Sequence, residues 1–570
     1  MYCQPMLKIK ISLLFLFINS FLFGQNQSTN FHPPLDIPLL LSGTFGELRS
    51  NHFHAGIDIK TQGRSGLNVY AIEDGYVSRI KVSPWGYGKA IYITHPNGYT
   101  SVYAHLMKYH RKIQDFVIKN QYIEQSYSIE LFPKEGEFLV KKGQVIGLSG
   151  NTGSSFAPHL HFEIRKSNNQ EPQNVLHFNF DVKDNLPPII KEVKFYPQTY
   201  YTLINGKNES LKVKVKGNNG TFFIDQKVDI SGPYSIGIST HDVLNGANNK
   251  NGVYAINLFV DSLMVYSHEM EAFSFQETKY INTHKDYMEH KKNNKKFHKC
   301  FKSSNNPLSI YNYMLNNGTI SPRTNQFIEF FVDDVYGNSS SLTFWIDNKQ
   351  KVPTKALNVG RYDSPVFPFN QRNFFKNDSI SLSIPAKSLY DTIYFDYNMV
   401  NDTFSSFYAP IHQIHSAHTP LHYPFKVEFV TTVPSHLSDK AFVCKIKNEK
   451  AISFVGGTFD KGTISATIKT FGDYSVAVDT IAPSIKGLNI HNGKKIEGPT
   501  LKMTIKDAES GIKSYNAYID MEWVLMEYEP KKNRLTHRFR KSLSEGTHKF
   551  TLVVEDNLGN TSEYEAIFYK

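Results

Sequence analysis

Between about Leu40 and Asp181, short apolar runs alternate with turn-forming residues. Leu67 to Ala71 leads into Glu73-Asp74-Gly75 and then Tyr76 to Val82, a strand–turn–strand pattern. Ala90 to Thr94 meets Pro96-Asn97-Gly98 and then Tyr99 to Ala104, which predicts a β-hairpin because Asn-Gly readily supplies positive φ. Lys141-Lys142-Gly143 marks another turn before Gln144 to Leu148. One stretch breaks the β pattern. Ile113, Phe116 and Val117 fall at helical spacing and predict a short helix over Arg111 to about Gln121. Tyr127, Ile129 and Leu131 then alternate as a strand does.

The rear of the chain repeats itself. Leu186-Pro187-Pro188-Ile189-Ile190 resembles Ile481-Ala482-Pro483-Ser484-Ile485, and Asp334-Val335-Tyr336-Gly337-Asn338 resembles Asp556-Asn557-Leu558-Gly559-Asn560. Each segment opens at a Pro-bearing entry and closes on a strand and an Asp-x-x-Gly-Asn turn, where Asp and Asn cap the turn and Gly takes the strain. Two Ig-like β-sandwich modules are expected, at 186–348 and 480–570, with a β-rich module at 349–479 between them. A front domain at 40–185 precedes them, after a polar, Pro-bearing lead-in at 25–39.

Composition agrees and adds a compartment. The 570 residues suit about four domains at roughly 150 residues each. Hydrophobic residues at 40% and charged residues at 20% exclude a wholly disordered chain, and the 33 Tyr and 42 Phe favour strands. A net charge of +11 is spread thinly; it favours an anionic partner such as a cell envelope or nucleic acid only weakly, and no nucleic-acid partner is expected. Lys8 and Lys10 precede an apolar run from Ile11 to Phe23, too short for a comfortable transmembrane helix, with small Gly24 after it. Residues 1–24 therefore read as a secretory signal, cut near Gly24/Gln25, and Cys3 leaves with it. The exported chain keeps Cys300 and Cys444, free or paired. Its place is the periplasm or cell envelope, or outside the cell.

The chemistry sits in histidines. His54-x-x-x-Asp58 puts two side chains on one face of either a helix or a strand. His159-Leu160-His161 on a strand points both imidazoles to one side. His105 ends the second hairpin strand. Imidazole and carboxylate suit Zn²⁺, and a catalytic zinc takes three protein ligands and leaves one position open. Two His and one Asp leave such a site net positive, and two further histidines remain for proton transfer.

The order of these motifs, with Phe45-Gly46-Glu47-Leu48-Arg49, Val69-Tyr70-Ala71, Asp74-Gly75-Tyr76-Val77, Gly86-Tyr87-Gly88, Tyr103-Ala104-His105-Leu106, Gly143-Gln144-Val145-Ile146-Gly147, Ser149-Gly150-Asn151-Thr152-Gly153 and Pro158-His159-Leu160-His161-Phe162-Glu163, resembles the M23 (LytM/lysostaphin-type) zinc metallopeptidases over about 40–166. The resemblance implies a compact antiparallel β metallopeptidase domain, which with the β-sandwich modules expected from the repeat makes the chain mainly β. It implies His54, Asp58 and His161 as zinc ligands, His105 and His159 as the catalytic pair, and peptide bonds of bacterial peptidoglycan as the substrate. Between His105 and Gly143 the chain is longer than in compact members; this insert, about 107–140, either walls the groove and selects the substrate or only packs against the core or a rear module. A Tyr that some members carry before the first ligand has no counterpart at Leu48 or Arg49.

Other features have plainer expectations. His52 is exposed or supports a ligand, and His95 at the hairpin tip is structural. The basic run His290 to Cys300 reads as a solvated loop. Arg49 holds a groove carboxylate or pairs with Glu47, and Trp523 fills a sandwich core rather than stacking on glycans. Two alternatives to the peptidase stand: a non-catalytic peptidoglycan-binding regulator of another hydrolase, and an adhesion or scaffold role for the rear modules with a vestigial front domain.

Overall fold

A computed structural model describes residues 30–348, 364–401, 407–448, 451–540 and 543–570. The expected signal peptide and its cut lie outside the described residues. None of the described helices is long and apolar enough to cross a membrane.

Strands dominate. In the front domain they are β1 (Leu41–Gly43), β2 (Ile57–Lys60), β3 (Asn68–Tyr70), β4 (Gly75–Val82), β5 (Lys89–Thr94), β6 (Tyr99–Ala104), β7 (Lys108–Tyr109), β8 (Ile129–Leu131), β9 (Leu139–Val140), β10 (Val145–Leu148), β11 (His159–Lys166) and β12 (Pro172–Gln173). A helix, α1 (Arg111–Ile123), follows β7. The main sheet runs β1-β2-β11-β6-β5-β4-β8, with β12 on β11 and β9 on β4, and every pairing in it is antiparallel. The β5–β6 hairpin is as the Asn-Gly turn predicts, with Gly98 at φ +84°. β3 does not pair with β4, the strand that follows it; it joins β10 and β7 in a small second sheet.

Alternation along β11 divides the domain in two. Leu160, Phe162 and Ile164 are fully buried and face the core with Ile57 and Ile59 of β2. His159, His161 and Glu163 lie on the opposite face, as the two-residue period requires. The residues expected to form a lead-in contribute too: Phe31, Leu35 and Leu39 are buried in the same core.

The insert packs inward. Ile113 and Val117 of α1, with Tyr127, Ile129 and Val140, join the front core. Tyr122 of α1 meets Trp523 of the last module edge-on, with ring centroids 5.3 Å apart, and Leu525 enters the front core. Trp523 thus seals a joint between two domains.

Behind the front domain, three further apolar cores fall within Ile190–Ile346, Phe367–Val476 and Ile490–Phe568. Each lies between antiparallel-rich sheets, of four and nine strands in the first, two of five in the second, and four and five in the third. A smaller cluster binds the front domain to the rear modules: Phe45, Leu48, Phe53 and Ala55 pack against Met270, Phe273, Ile281 and Tyr390. Cys300 and Cys444 are buried free thiols.

Candidate metal centre

The register of the main sheet assembles the site. On β11, His161 stands opposite Asp58 of β2 on one side and Ala104 of β6 on the other. One row across three strands therefore carries His161 and Asp58 and ends beside His105. His159 lies two residues earlier on the same face. His54 enters from the loop before β2, and the tight approach there needs Gly56: a Cβ on it would meet the Phe162 carbonyl oxygen at 2.2 Å.

Three atoms converge. His54 Nε2 lies 3.1 Å from Asp58 Oδ1 and 3.1 Å from His161 Nδ1, and His161 Nδ1 lies 2.9 Å from Asp58 Oδ1. The remote ring nitrogens are occupied. His54 Nδ1–H donates to the Thr44 carbonyl at 2.8 Å, and His161 Nε2–H donates to Glu163 Oε1 at 2.7 Å. With the protons held outward, two imidazole lone pairs and a carboxylate oxygen face one point. Such a convergence is repulsive until a cation or a proton sits in it. Ligands at about 2.0–2.2 Å in a tetrahedron lie about 3.3 Å apart, so the spacing fits a single zinc ion.

The charges around the trio are fixed by burial and contact. Burial opposes the Asp58 carboxylate, but the surrounding histidines outweigh it and hold its pKa well below the usual range. Arg49 Nη2 grips the other oxygen, Asp58 Oδ2, at 2.9 Å while pairing with Glu47 at 3.0 Å, so both expectations for Arg49 hold at once. Burial likewise disfavours charge on His161, yet the hydrogen bonds to Asp58 and Glu163 prevail and push its pKa up to about 9, so that without a cation a proton on Nδ1 takes the shared point.

Two histidines flank the trio. His105 Nδ1–H donates to the Thr152 carbonyl at 2.9 Å, which turns Nε2 towards the site. Burial, then the neighbouring His161 and His159, lowers its pKa to about 3, so the ring is neutral and able to accept a proton. His159 Nδ1–H donates to the Ala157 carbonyl at 2.9 Å, and its Nε2 lies 3.4 Å from Asp58 Oδ1. The His105 and His159 rings are 4.8 Å apart. His105 sits at φ +58°, a left-handed conformation that a non-glycine residue adopts at a cost. The loop beneath it explains how that is enforced: the His105 N–H donates to the Tyr87 carbonyl, and Gly153, at φ +72°, lies so close to Gly86 that a Cβ would meet its carbonyl oxygen at 2.3 Å.

All five expected site residues thus meet at one place. Glu163, Arg165, Tyr87 and Thr44 were not anticipated as site residues. Glu163 is fully buried; it accepts from Arg165 Nε at 2.6 Å and from the Tyr87 hydroxyl besides His161. Burial would raise its pKa, but Arg165 and then His161 hold it down at about 2. The alternation that paired His159 with His161 extends to Glu163 and could have found it. Tyr87 and Arg165 share a groove with Arg79, Trp85, Tyr92 and Phe275. Trp85 is 61% exposed, and Phe156 on the neighbouring loop is fully exposed. The last module reaches this wall: Lys531 Nζ donates to the carbonyls of Asn151 and Ser155, both at 2.7 Å.

The residues with plainer expectations divide. His52 is exposed, and His95 is buried in a structural role, bridging the Asp74 carbonyl and Ser101 Oγ. The run His290 to Cys300 is not a solvated loop. Helical backbone covers Tyr287–Asn293, and His298 and Cys300 are buried because Phe297 and the short strand His298–Lys299 insert against the sandwich.

The antiparallel sheet thus presents a buried His-Asp-His trio with two further histidines beside it. Residues 52–131 and 128–175 match the model of peptidase family M23, so the front of the chain carries a domain of that family. Residues 364–479 match the Zu5-like domain. Over 100 residues the chain is 34% identical to the DD-carboxypeptidase/endopeptidase Mpg of Neisseria meningitidis, covering 18% of this chain and 17% of that one. It is 31% identical over 122 residues to the peptidoglycan DD-endopeptidase ShyA of Vibrio cholerae, covering 21% and 22%. It is 32% identical over 116 residues to lysostaphin of Staphylococcus simulans, covering 20% and 19%. The match spans about a fifth of the length of each of these curated relatives. A solved zinc-containing peptidase from Vibrio cholerae is 29% identical over 26% of this chain and 39% of that one, at a TM-score of 0.19.

Proposed function

We propose that the protein is an exported zinc metalloendopeptidase that hydrolyses peptide bonds of bacterial peptidoglycan. The observation that carries this reading is the convergence of His54 Nε2, Asp58 Oδ1 and His161 Nδ1 with their outer nitrogens already anchored. These three residues would hold the metal. Zinc, when bound, supplies Lewis acidity to a scissile carbonyl and lowers the pKa of water. The substrate class comes from the relatives named for peptidoglycan cleavage.

His105 and His159 do the proton work. Neutral His105 accepts a proton at Nε2, since Nδ1–H is committed to the Thr152 carbonyl. His159 has the same construction, with Nδ1–H committed to Ala157. One accepts a proton from water at Nε2 and passes it to the leaving amine, while the other, carrying a second proton at Nε2, donates to the developing oxyanion. Glu163 and Thr44 fix the rings of His161 and His54, and Arg49 fixes the Asp58 carboxylate. The exposed Trp85 and Phe156 at the rim suit a flexible peptide strand laid across the face of β11.

Zinc content of the purified chain, with muropeptide profiling of digested peptidoglycan, tests this reading beside His161→Ala. Cleavage that disappears in the variant supports it. A zinc-loaded wild type that leaves every muropeptide intact, in the presence of ample wall, would refute it.

A further inference from the structure

A second cluster of imidazoles lies outside the front domain. His268 on the strand Leu263–Glu269, His284 at the end of the helical turn Ile281–His284, and His298 on the strand His298–Lys299 come together in the 186–348 region. His268 and His284 are fully buried and His298 is 5% exposed. His284 Nε2 lies 3.0 Å from His298 Nδ1, and one ring nitrogen of each of the three lies within 4.8 Å of the others.

Their orientation matches that of the front trio. Tyr266 Oη lies 2.9 Å from His268 Nδ1, and Tyr311 Oη lies 3.1 Å from His284 Nδ1. Tyr311 is itself held by Asn306 Nδ2 at 2.9 Å. The phenols engage the outer nitrogens and leave both Nε2 atoms turned inward. Hydrogen bonding alone does not satisfy this set. His268 Nε2 is buried without a partner, and an orphaned buried polar atom destabilises the fold. The neighbouring ammonium groups have partners elsewhere. Lys285 Nζ donates to the Arg49 carbonyl at 2.7 Å, Lys296 Nζ to Glu47 at 3.2 Å and Lys299 Nζ to Ser303 at 3.3 Å.

We propose that His268, His284 and His298 form a second zinc site, structural in kind, that braces the loop carrying the first front ligand. Three imidazoles with borderline-soft nitrogen donors suit zinc with water as the fourth ligand, and it is the enclosure, with all three rings buried, that keeps such an ion from substrate and makes it structural. The site lies directly behind the front centre. The Phe53 ring is 5.8 Å from His284, the Phe53 N–H donates to Thr278 Oγ1 at 2.9 Å, and Lys285 holds the carbonyls of Arg49 and Ser50. His54 is the next residue along. Zinc at the rear cluster fixes the helical turn, and the turn fixes the loop.

The test uses the full chain, stripped with chelator, reloaded with zinc, dialysed, and assayed for metal by mass spectrometry. The wild type is expected to hold two zinc ions, His161→Ala one, and His161→Ala with His268→Gln none. Cobalt(II) added to the His161→Ala chain should give the visible bands of a tetrahedral nitrogen site, lost on His268→Gln. Retention of the rear ion in His161→Ala, removed by His268→Gln, upholds the second site even if the front reading fails. An unchanged metal count and cobalt spectrum after His268→Gln overturns it, as does a His161→Ala chain without stoichiometric zinc. Should His268→Gln fold poorly, the melting temperature of the His161→Ala chain is read with and without zinc: a rise on zinc addition supports the site, and no shift overturns it.

Discussion

Glu163 offers a sharp test of how the front site is held. It is fully buried and accepts from three donors at once: His161 Nε2, the Arg165 guanidinium and the Tyr87 hydroxyl. Glu163→Gln keeps the volume, but its single oxygen cannot serve both Arg165 and His161, and its amide must face a donor. Two separable losses result. Arg165, with a side chain only 5% exposed, is left partly unpaired, and breaking a buried pair costs about 3–5 kcal/mol. The His161 ring loses the acceptor that fixes its tautomer, and removing such a partner weakens metal binding by about 10–100-fold, or about 1.4–2.7 kcal/mol. Zinc affinity is read by competition with a chromophoric chelator, and stability by denaturant unfolding of the zinc-free chain. The double variant Glu163→Gln/Arg165→Met removes the stranded cation, so stability should largely recover while zinc affinity stays low. If affinity recovered together with stability, Glu163 would act only through folding, and its role in orienting His161 would be refuted.

Other consequences are equally concrete. His105→Ala and His159→Ala should each retain zinc while muropeptide cleavage falls by about 10²–10⁴-fold; near wild-type turnover in both would remove them from the chemistry. Gly153→Ala forces a Cβ against the Gly86 carbonyl and the Gly88 nitrogen, both at 2.3 Å, so it should cut activity and lower the melting temperature, whereas an unchanged melt would show that the loop yields. A third expectation concerns Asp242, raised to about 8 by burial and then by Asp184 and Asp334. The folded state binds this proton more tightly than the unfolded one, whose carboxyl titrates near 3.8. The stability it contributes is therefore complete below about pH 4 and is lost as pH rises to about 8, on the order of a few kcal/mol. With chelator present, Asp242→Asn should melt higher than wild type at pH 8 and no higher at pH 4; the opposite order would contradict the sign.

Local signals in the sequence proved the most legible. The β5–β6 hairpin follows from Pro96-Asn97-Gly98, and α1 from the spacing of Ile113, Phe116 and Val117. The shared face of His159 and His161 follows from a two-residue period. What local pattern does not encode is register between distant strands. Nothing near Asn68–Tyr70 says that it pairs with Val145–Leu148 rather than with the strand that comes next. The basic run at 290–300 misleads for a related reason. Its lysines are countered by partners far away in sequence, Lys295 by Glu192 and Lys296 by Glu47, so that His298 can be buried. Phe31 and Leu35 look like isolated apolar residues in a polar leader until the core they fill is known.

The joint at Trp523 and Leu525 has a consequence for the order of folding. Lys89 of the front sheet pairs with Glu527, 438 residues later, and Lys531 completes the hold on the loop before β11. During synthesis the amino-terminal half emerges first, but its sheet acquires these last neighbours only when the carboxy-terminal module has been made. Closing so long a loop adds little entropic cost, since that cost grows only with the logarithm of its length. What it does impose is a delay. The wall beside His54, Asp58 and His161 is finished by a module made hundreds of residues later, so the front face takes its final form only after that module has folded.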